Sequence, residues 1–241
     1  MLFKEKMTSF IKSSLYGIIL FTLIVIIHNY NEYENYPFAV KNISIIGNKY
    51  INSQEILDLL DYEKNKSVFD FNIRDVKNNI EKIPFIKNAQ ISLKLPDGLE
   101  IQITERVPIA LIINNNNKMF IDCENNFLPV NPKSIISFPV PLLNIKDIPI
   151  SKNSSISIIR HLHETYDKMY NHLSEISESN NSITLITDTK TKIFINPNMI
   201  INNLNKLKKF DEAFNVITDI EKYKYINLKF NNQIVVKEKN I

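Results

Sequence analysis

The sequence predicts an α+β protein with a single N-terminal transmembrane helix, a β-α-α-β-β module and a mixed α/β C-terminal domain that closes on an edge-strand hairpin. Three observations carry this. An apolar run lies near the N-terminus, two segments of helical period precede a strictly alternating hairpin, and two short strand-like segments flank a polar turn near the C-terminus. The 241 residues, 44% of them hydrophobic, allow one large or two small domains. A net charge of +3 without a basic stripe argues against a nucleic-acid partner. The abundance of Asn, Ile and Lys reads as a bias toward AT-rich codons. The lone cysteine, Cys123, has no internal partner and reads as a buried thiol.

The anchor is expected over residues 10–28, after a cytoplasmic tail of residues 1–9. Its apolar body is Phe10, Leu15, Ile18, Ile19, Leu20, Phe21, Leu23, Ile24, Val25, Ile26 and Ile27. As a helix, Phe10–Ile27 covers about 27 Å, close to the hydrocarbon thickness of a bilayer. Lys4, Lys6 and Lys12 precede or enter the run and Glu32 and Glu34 follow it. The positive-inside rule then places the N-terminus in the cytoplasm. No small-x-small cleavage site follows the run, which favours an uncleaved anchor over its rivals, a cleaved signal peptide and a buried soluble core helix. Residues 29–37 form a linker, with tyrosines suited to the membrane interface.

The first module begins with a strand over Val40–Ile46, turned at Gly47-Asn48. Asn52 caps a helix, with Glu55 completing a capping-box pattern. A second helix starts near Asn72, carries Ile73, Val76, Ile80 and Ile83, and stops at Pro84. Ala89, Ile91, Leu93 and Leu95 then alternate with polar residues. Pro96-Asp97-Gly98 turns the chain, and Leu99, Ile101 and Ile103 alternate in the same way, which describes a half-buried β-hairpin. Glu105-Arg106 reads as an exposed pair at the strand end, and Pro108 closes the strand.

Four segments in order carry a resemblance: Ile43-Ser44-Ile45-Ile46-Gly47-Asn48, Ile83-Pro84-Phe85-Ile86-Lys87-Asn88-Ala89, Leu95-Pro96-Asp97-Gly98-Leu99, and Glu105-Arg106-Val107-Pro108-Ile109-Ala110. They resemble a POTRA domain, and more narrowly that of the bacterial division proteins FtsQ and DivIB. The resemblance sets a POTRA domain at 38–106, an FtsQ-type β-rich domain at 107–237 and a tail at 238–241.

In the second module, Ile109–Ile113 and Met119–Ile121 read as strands, and Asp122–Asn126 as a turn. There Asn125-Asn126 stand where the family usually has glycine, and asparagine tolerates the left-handed region. Pro129–Pro149 reads as extended. One long helix is expected along the stripe Ile159, Leu162, Tyr166, Met169, Leu173 and Ile176. A hairpin follows over Ile183–Thr187 and Thr191–Ile195. Asn196 or Asn198 opens a helix bearing Ile200, Leu204, Leu207, Phe210 and Phe214. The terminal hairpin pairs Tyr225–Phe230 with Ile234–Lys237. The stretch Tyr225-Ile226-Asn227-Leu228-Lys229-Phe230 resembles the family's closing strand, with Asn227 for Asp and Lys229 for Arg.

No catalytic set emerges. His161 and His163 point about 200° apart on a helix and do not share a metal facially, and the three glycines form no phosphate loop. The resemblance implies a non-enzymatic scaffold of the divisome in the bacterial inner membrane, at the division septum, with its body periplasmic. It implies no cofactor and no small-molecule substrate. Its partners would be FtsB and FtsL type proteins and other divisome members, with the FtsB contact carried over to Tyr225, Ile226, Asn227, Leu228, Lys229, Phe230, Asn231 and Asn232. The alternatives are a POTRA module of an outer-membrane translocation machine, which would need a cleaved signal and a barrel, and an exported hydrolase using His163 and Glu164.

Overall fold

The structure is a computed structural model that describes residues 15–26, 38–60, 66–114, 117–145, 154–179 and 182–239. Residues 15–26 are helical (α1) and expose their apolar side chains, Leu20 and Phe21 among them. Twelve helical residues rise about 18 Å, short of the roughly 30 Å hydrocarbon core. Among the described residues no helix is long and apolar enough to cross a membrane. The rest of the expected anchor, including Phe10 and Ile27, lies outside them.

The chain divides into two compact units, Met1–Thr104 and Glu105–Ile241. The first has the order β1 (Asn42–Ile46), α2 (Ser53–Leu57), a 3-10 turn (Val68–Asp70), α3 (Ile73–Ile80), β2 (Ile86–Lys94) and β3 (Gly98–Glu105). The sheet runs β1-β3-β2, with β1 parallel to β3 and Asn42 opposite Gly98. Each helical start has a local reason. The Asn52 side chain accepts the Gln54 N–H, and the Asn72 side chain accepts the Asp75 N–H. The reciprocal capping box falls at Ser67 and Asp70, not at Asn52 and Glu55. Val76 and Ile80 of α3 meet Ala89, Leu99, Ile101 and Ile103 in the core. Gly47 turns at φ 93°, where a Cβ would collide with the Ile103 carbonyl, so no other residue fits.

The second unit is built on one nine-stranded mixed sheet. Its strands are β4 (Pro108–Asn114), β5 (Asn117–Asp122), β6 (Phe127–Pro129), β7 (Leu142–Ile145), β8 (Leu173–Ser179), β9 (Ser182–Thr187), β10 (Lys192–Ile195), β11 (Tyr223–Asn227) and β12 (Val235–Glu238). Their spatial order is β12-β11-β10-β9-β8-β7-β4-β5-β6. β7 is parallel to both β4 and β8, and β11 is parallel to β10. The helices α5 (Ser154–Thr165), α6 (Asp167–Asn171) and α7 (Ile200–Phe214) supply Ile158, Ile159, Leu162, Met169, Leu204 and Leu207 to the core.

Several expectations are corrected. The stripe Ile159–Ile176 is not one helix. Tyr166 leaves helical geometry at φ −145°, α6 is short, and Leu173 and Ile176 lie in β8. A register irregularity between Leu173 and Glu175 lets residues three apart both face inward, which imitates a helical period. Pro129–Pro149 is not extended throughout, because α4 (Pro132–Ser137) starts there, capped by Asn131. Pro108 opens β4 instead of only ending β3. Leu95 and Phe214 are exposed, not core, and Cys123 is exposed, not buried, in the Asp122–Asn126 turn. Asn125 does adopt φ 68° in that turn.

Candidate partner-binding edge

The C-terminal hairpin is held to the sheet by β11. Ile193 and Phe194 of β10 register with Ile226 and Asn227, and Ile226 faces Val236 of β12. Ile226 and Leu228 are fully buried, and the Leu228 N–H donates to the Phe194 carbonyl at 2.9 Å. Tyr225 packs against the Phe194 ring at 6.0 Å, and Lys229 Nζ sits 5.8 Å from the same ring. The Asn227 carboxamide accepts the Lys229 N–H at 3.1 Å, and Lys206 of α7 donates to the Leu228 carbonyl at 2.9 Å and to that of Phe230. The strand therefore ends at Asn227. Leu228–Asn232 form a connection tied down by α7.

This relocates the edge. The closing stretch from Tyr225 lies in or just beyond a strand with a neighbour on each side, and the terminal strand of the sheet is β12. Of the eight residues expected to meet a partner, Phe230, Asn231 and Asn232 are exposed beside the hairpin. β12 presents Val236, Lys237 and Glu238 to solvent. A cavity of about 300 Å³ lies alongside, lined by Lys206, Lys209, Phe210, Phe214, Asn232 and Ile234. Thr191, fully buried, bonds the carbonyls of Ile220 and Tyr223 at 2.7 Å and fixes where β11 begins. Lys222, paired with Asp219 at 2.9 Å, has its pKa raised by that hydrogen bond and charge.

At the other end of the unit, Arg106 is mostly covered, against the expectation of an exposed pair. It donates to Asp122 at 2.9 Å and to Glu124 at 3.1 Å. Asp122 also accepts the Asn126 N–H at 2.8 Å, so the strand-end arginine braces the β5–β6 turn. Burial pushes the Asp122 carboxyl up, but the bonds from Asn126, Arg106 and Glu124 outweigh it and hold the pKa below the usual value. The His163 ring meets Tyr170 edge-on at 5.0 Å, and His172 Nδ1 lies 3.2 Å from Asp188. Among the described residues, no three His, Cys, Asp or Glu side chains converge as metal ligands.

A mixed three-stranded sheet with two helices, followed by a large mixed sheet ending in an edge hairpin, defines a POTRA-bearing protein. Residues 38–106 match the family description "POTRA domain, FtsQ-type", and residues 107–237 match "FtsQ/DivIB, C-terminal related". The chain belongs to the FtsQ/DivIB family. It is 27% identical to the cell division protein DivIB of Clostridium acetobutylicum over 82% of each chain. It is 30% identical to the cell division protein DivIB of Clostridium tetani over 83% of this chain and 79% of that one. It is 24% identical to the cell division protein FtsQ of Geotalea daltonii over 83% of this chain and 76% of that one.

Proposed function

We propose that this chain is a non-enzymatic scaffold of bacterial cell division. An anchor over Phe10–Ile27 fixes it in the inner membrane, with the N-terminus cytoplasmic and both folded units outside. The division role rests on family membership and on the names of the relatives. The anchor rests on the apolar run with its lysine-rich N-terminal flank and on the outward apolar side chains of α1. An outer-membrane translocation role is not favoured, because the second unit matches an FtsQ/DivIB C-terminal description instead.

The partners proposed are FtsB and FtsL type single-pass proteins. The observation that carries the site is the terminal position of β12 in the nine-stranded sheet. An edge strand accepts an extended segment through main-chain hydrogen bonds, and neighbouring pockets select side chains. Phe230 and the apolar wall of Phe210, Phe214 and Ile234 are the side-chain pockets beside this edge. The test is capture of the full chain, in detergent, by the membrane-proximal region of FtsB. Phe230→Lys combined with deletion of residues 235–241 is expected to weaken capture at least about tenfold, roughly 1.4 kcal/mol. Unchanged capture would reject the β12 site.

A further inference from the structure

The β1 start of the first unit's sheet gathers exposed apolar residues that its core does not use. Phe38 is 42% exposed, Phe69 59% and Leu95 63%. Phe38 and Phe69 meet edge to face, with ring centroids 5.3 Å apart. Backbone pairing fixes them there, since the Val68 N–H donates to the Phe38 carbonyl at 2.8 Å and the Val40 N–H to the Lys66 carbonyl at 3.0 Å. The turn bearing Leu95 is at the same end, because the Asp97 carbonyl accepts the Lys41 and Asn42 N–H groups at 2.9 and 3.2 Å. Lys41, Lys66 and Lys94 belong to the same segments: the Lys41 N–H bonds the Asp97 carbonyl, the Lys66 carbonyl accepts from Val40, and Lys94 precedes Leu95. Lys66 Nζ lies 4.9 Å from the Phe71 ring, and Lys94 Nζ lies 3.1 Å from Glu100. Acidic residues nearby, among the described residues, include exposed Asp70, half-exposed Asp97 and Glu100, the last paired with Lys94.

We propose that this end of the first unit rests on the headgroup layer of an anionic bilayer, with Phe38, Phe69 and Leu95 dipping into it. The proposal rests on the anchor reading above. Ten residues, 28–37, separate the apolar run from Phe38, and they span at most about 35 Å. The attachment point, Phe38, is thus the part of the unit with least freedom to leave the membrane, and it belongs to the cluster itself. Exposed aromatic and aliphatic side chains on segments that also carry lysines are the composition that interfaces favour. The rings occupy the headgroup level, and the lysine stems lie along apolar surface while the ammonium groups meet lipid phosphate. A protein partner is the competing occupant, and lipid alone distinguishes the two.

The test uses the full chain with Cys123→Ser, reconstituted in phosphatidylethanolamine–phosphatidylglycerol vesicles that carry a headgroup nitroxide lipid. A fluorophore is placed at Asp97→Cys or, in a second sample, at Ile46→Cys, at the opposite end of β1, about 13 Å further along the strand. Quenching is expected to be several-fold stronger at position 97. Adding Phe38→Ser, Phe69→Ser and Leu95→Ser is expected to remove the difference while leaving the far-ultraviolet circular dichroism unchanged. Equal quenching at the two positions in the otherwise native chain would overturn the proposal without relying on the triple variant. Alkaline carbonate separates the two readings. Extraction of the chain would overturn the anchor and this contact together, whereas retention with equal quenching would overturn the contact alone.

Discussion

Buried charges in the second unit set a pH window that the fold itself defines. Asp211 is 4% exposed; burial raises its pKa, but the Ile217 N–H at 2.8 Å and the Lys168 ammonium at 2.9 Å outweigh this and bring it below the usual carboxylate value. Asp122 behaves in the same direction. A depressed carboxyl stabilises the fold above its unfolded value of about 3.9, and that contribution is lost as pH falls through the lower folded value. Tyr170 behaves oppositely. Burial, reinforced by the Asp167 charge, pushes its pKa up to about 12 while its hydroxyl donates to the Ile109 carbonyl at 3.0 Å. Its contribution is complete below about pH 10 and is lost as pH rises toward 12. Denaturation midpoints are therefore expected to fall at both extremes, and Tyr170→Phe to flatten only the alkaline limb. Little of this was legible in the sequence. Arg106 and Asp122 are sixteen residues apart, and neither alternation nor propensity reports a pairing across a strand end.

Secondary structure was most legible where one face of an element is wet. The hairpins β2–β3 and β9–β10 announce themselves by alternation, and Asn52, Asn72 and Asn196 each cap the helical turn expected after them. Legibility fails where neighbours override local signals. The irregularity in β8 imitates a helical stripe, and the four residues of β7 are too few to carry a period. The start of α5 shows the same tertiary control. Glu178 of β8 accepts the Ser155 N–H at 2.8 Å and the Ser155 hydroxyl at 2.6 Å, and so caps a helix from a strand. Glu178→Ala is expected to cost about 1–3 kcal/mol by leaving these donors buried without an acceptor. Urea denaturation checks this, with an unchanged m-value marking a native-state effect. The terminal hairpin was expected, but its outermost strand was placed one strand too far in, since composition does not say which of two paired strands faces solvent.

Each unit has its own hydrophobic cluster, one around Ile56, Ile80 and Ile101 and the other around Leu143, Ile176 and Leu207. Ile80→Ala is expected to cost about 2–5 kcal/mol and to reduce amide-exchange protection within residues 38–104. Leu207→Ala is expected to do the same within the second unit. Protection lost equally in both units from either change would show a single cooperative core. Composition left one or two domains open and the resemblance suggested two; the structure divides at Thr104/Glu105. The mixed nine-stranded order was not legible, because it depends on pairings far apart in the chain. The placement of β7 has a consequence for biogenesis. Before Leu142–Ile145 slot between β4 and β8, a newly made chain carries two half-sheets with raw inner margins, each a template for the wrong strand. The hazard for this protein is thus greatest during maturation, where errors in this one short strand would leave insoluble, misassembled chains instead of a merely loosened fold.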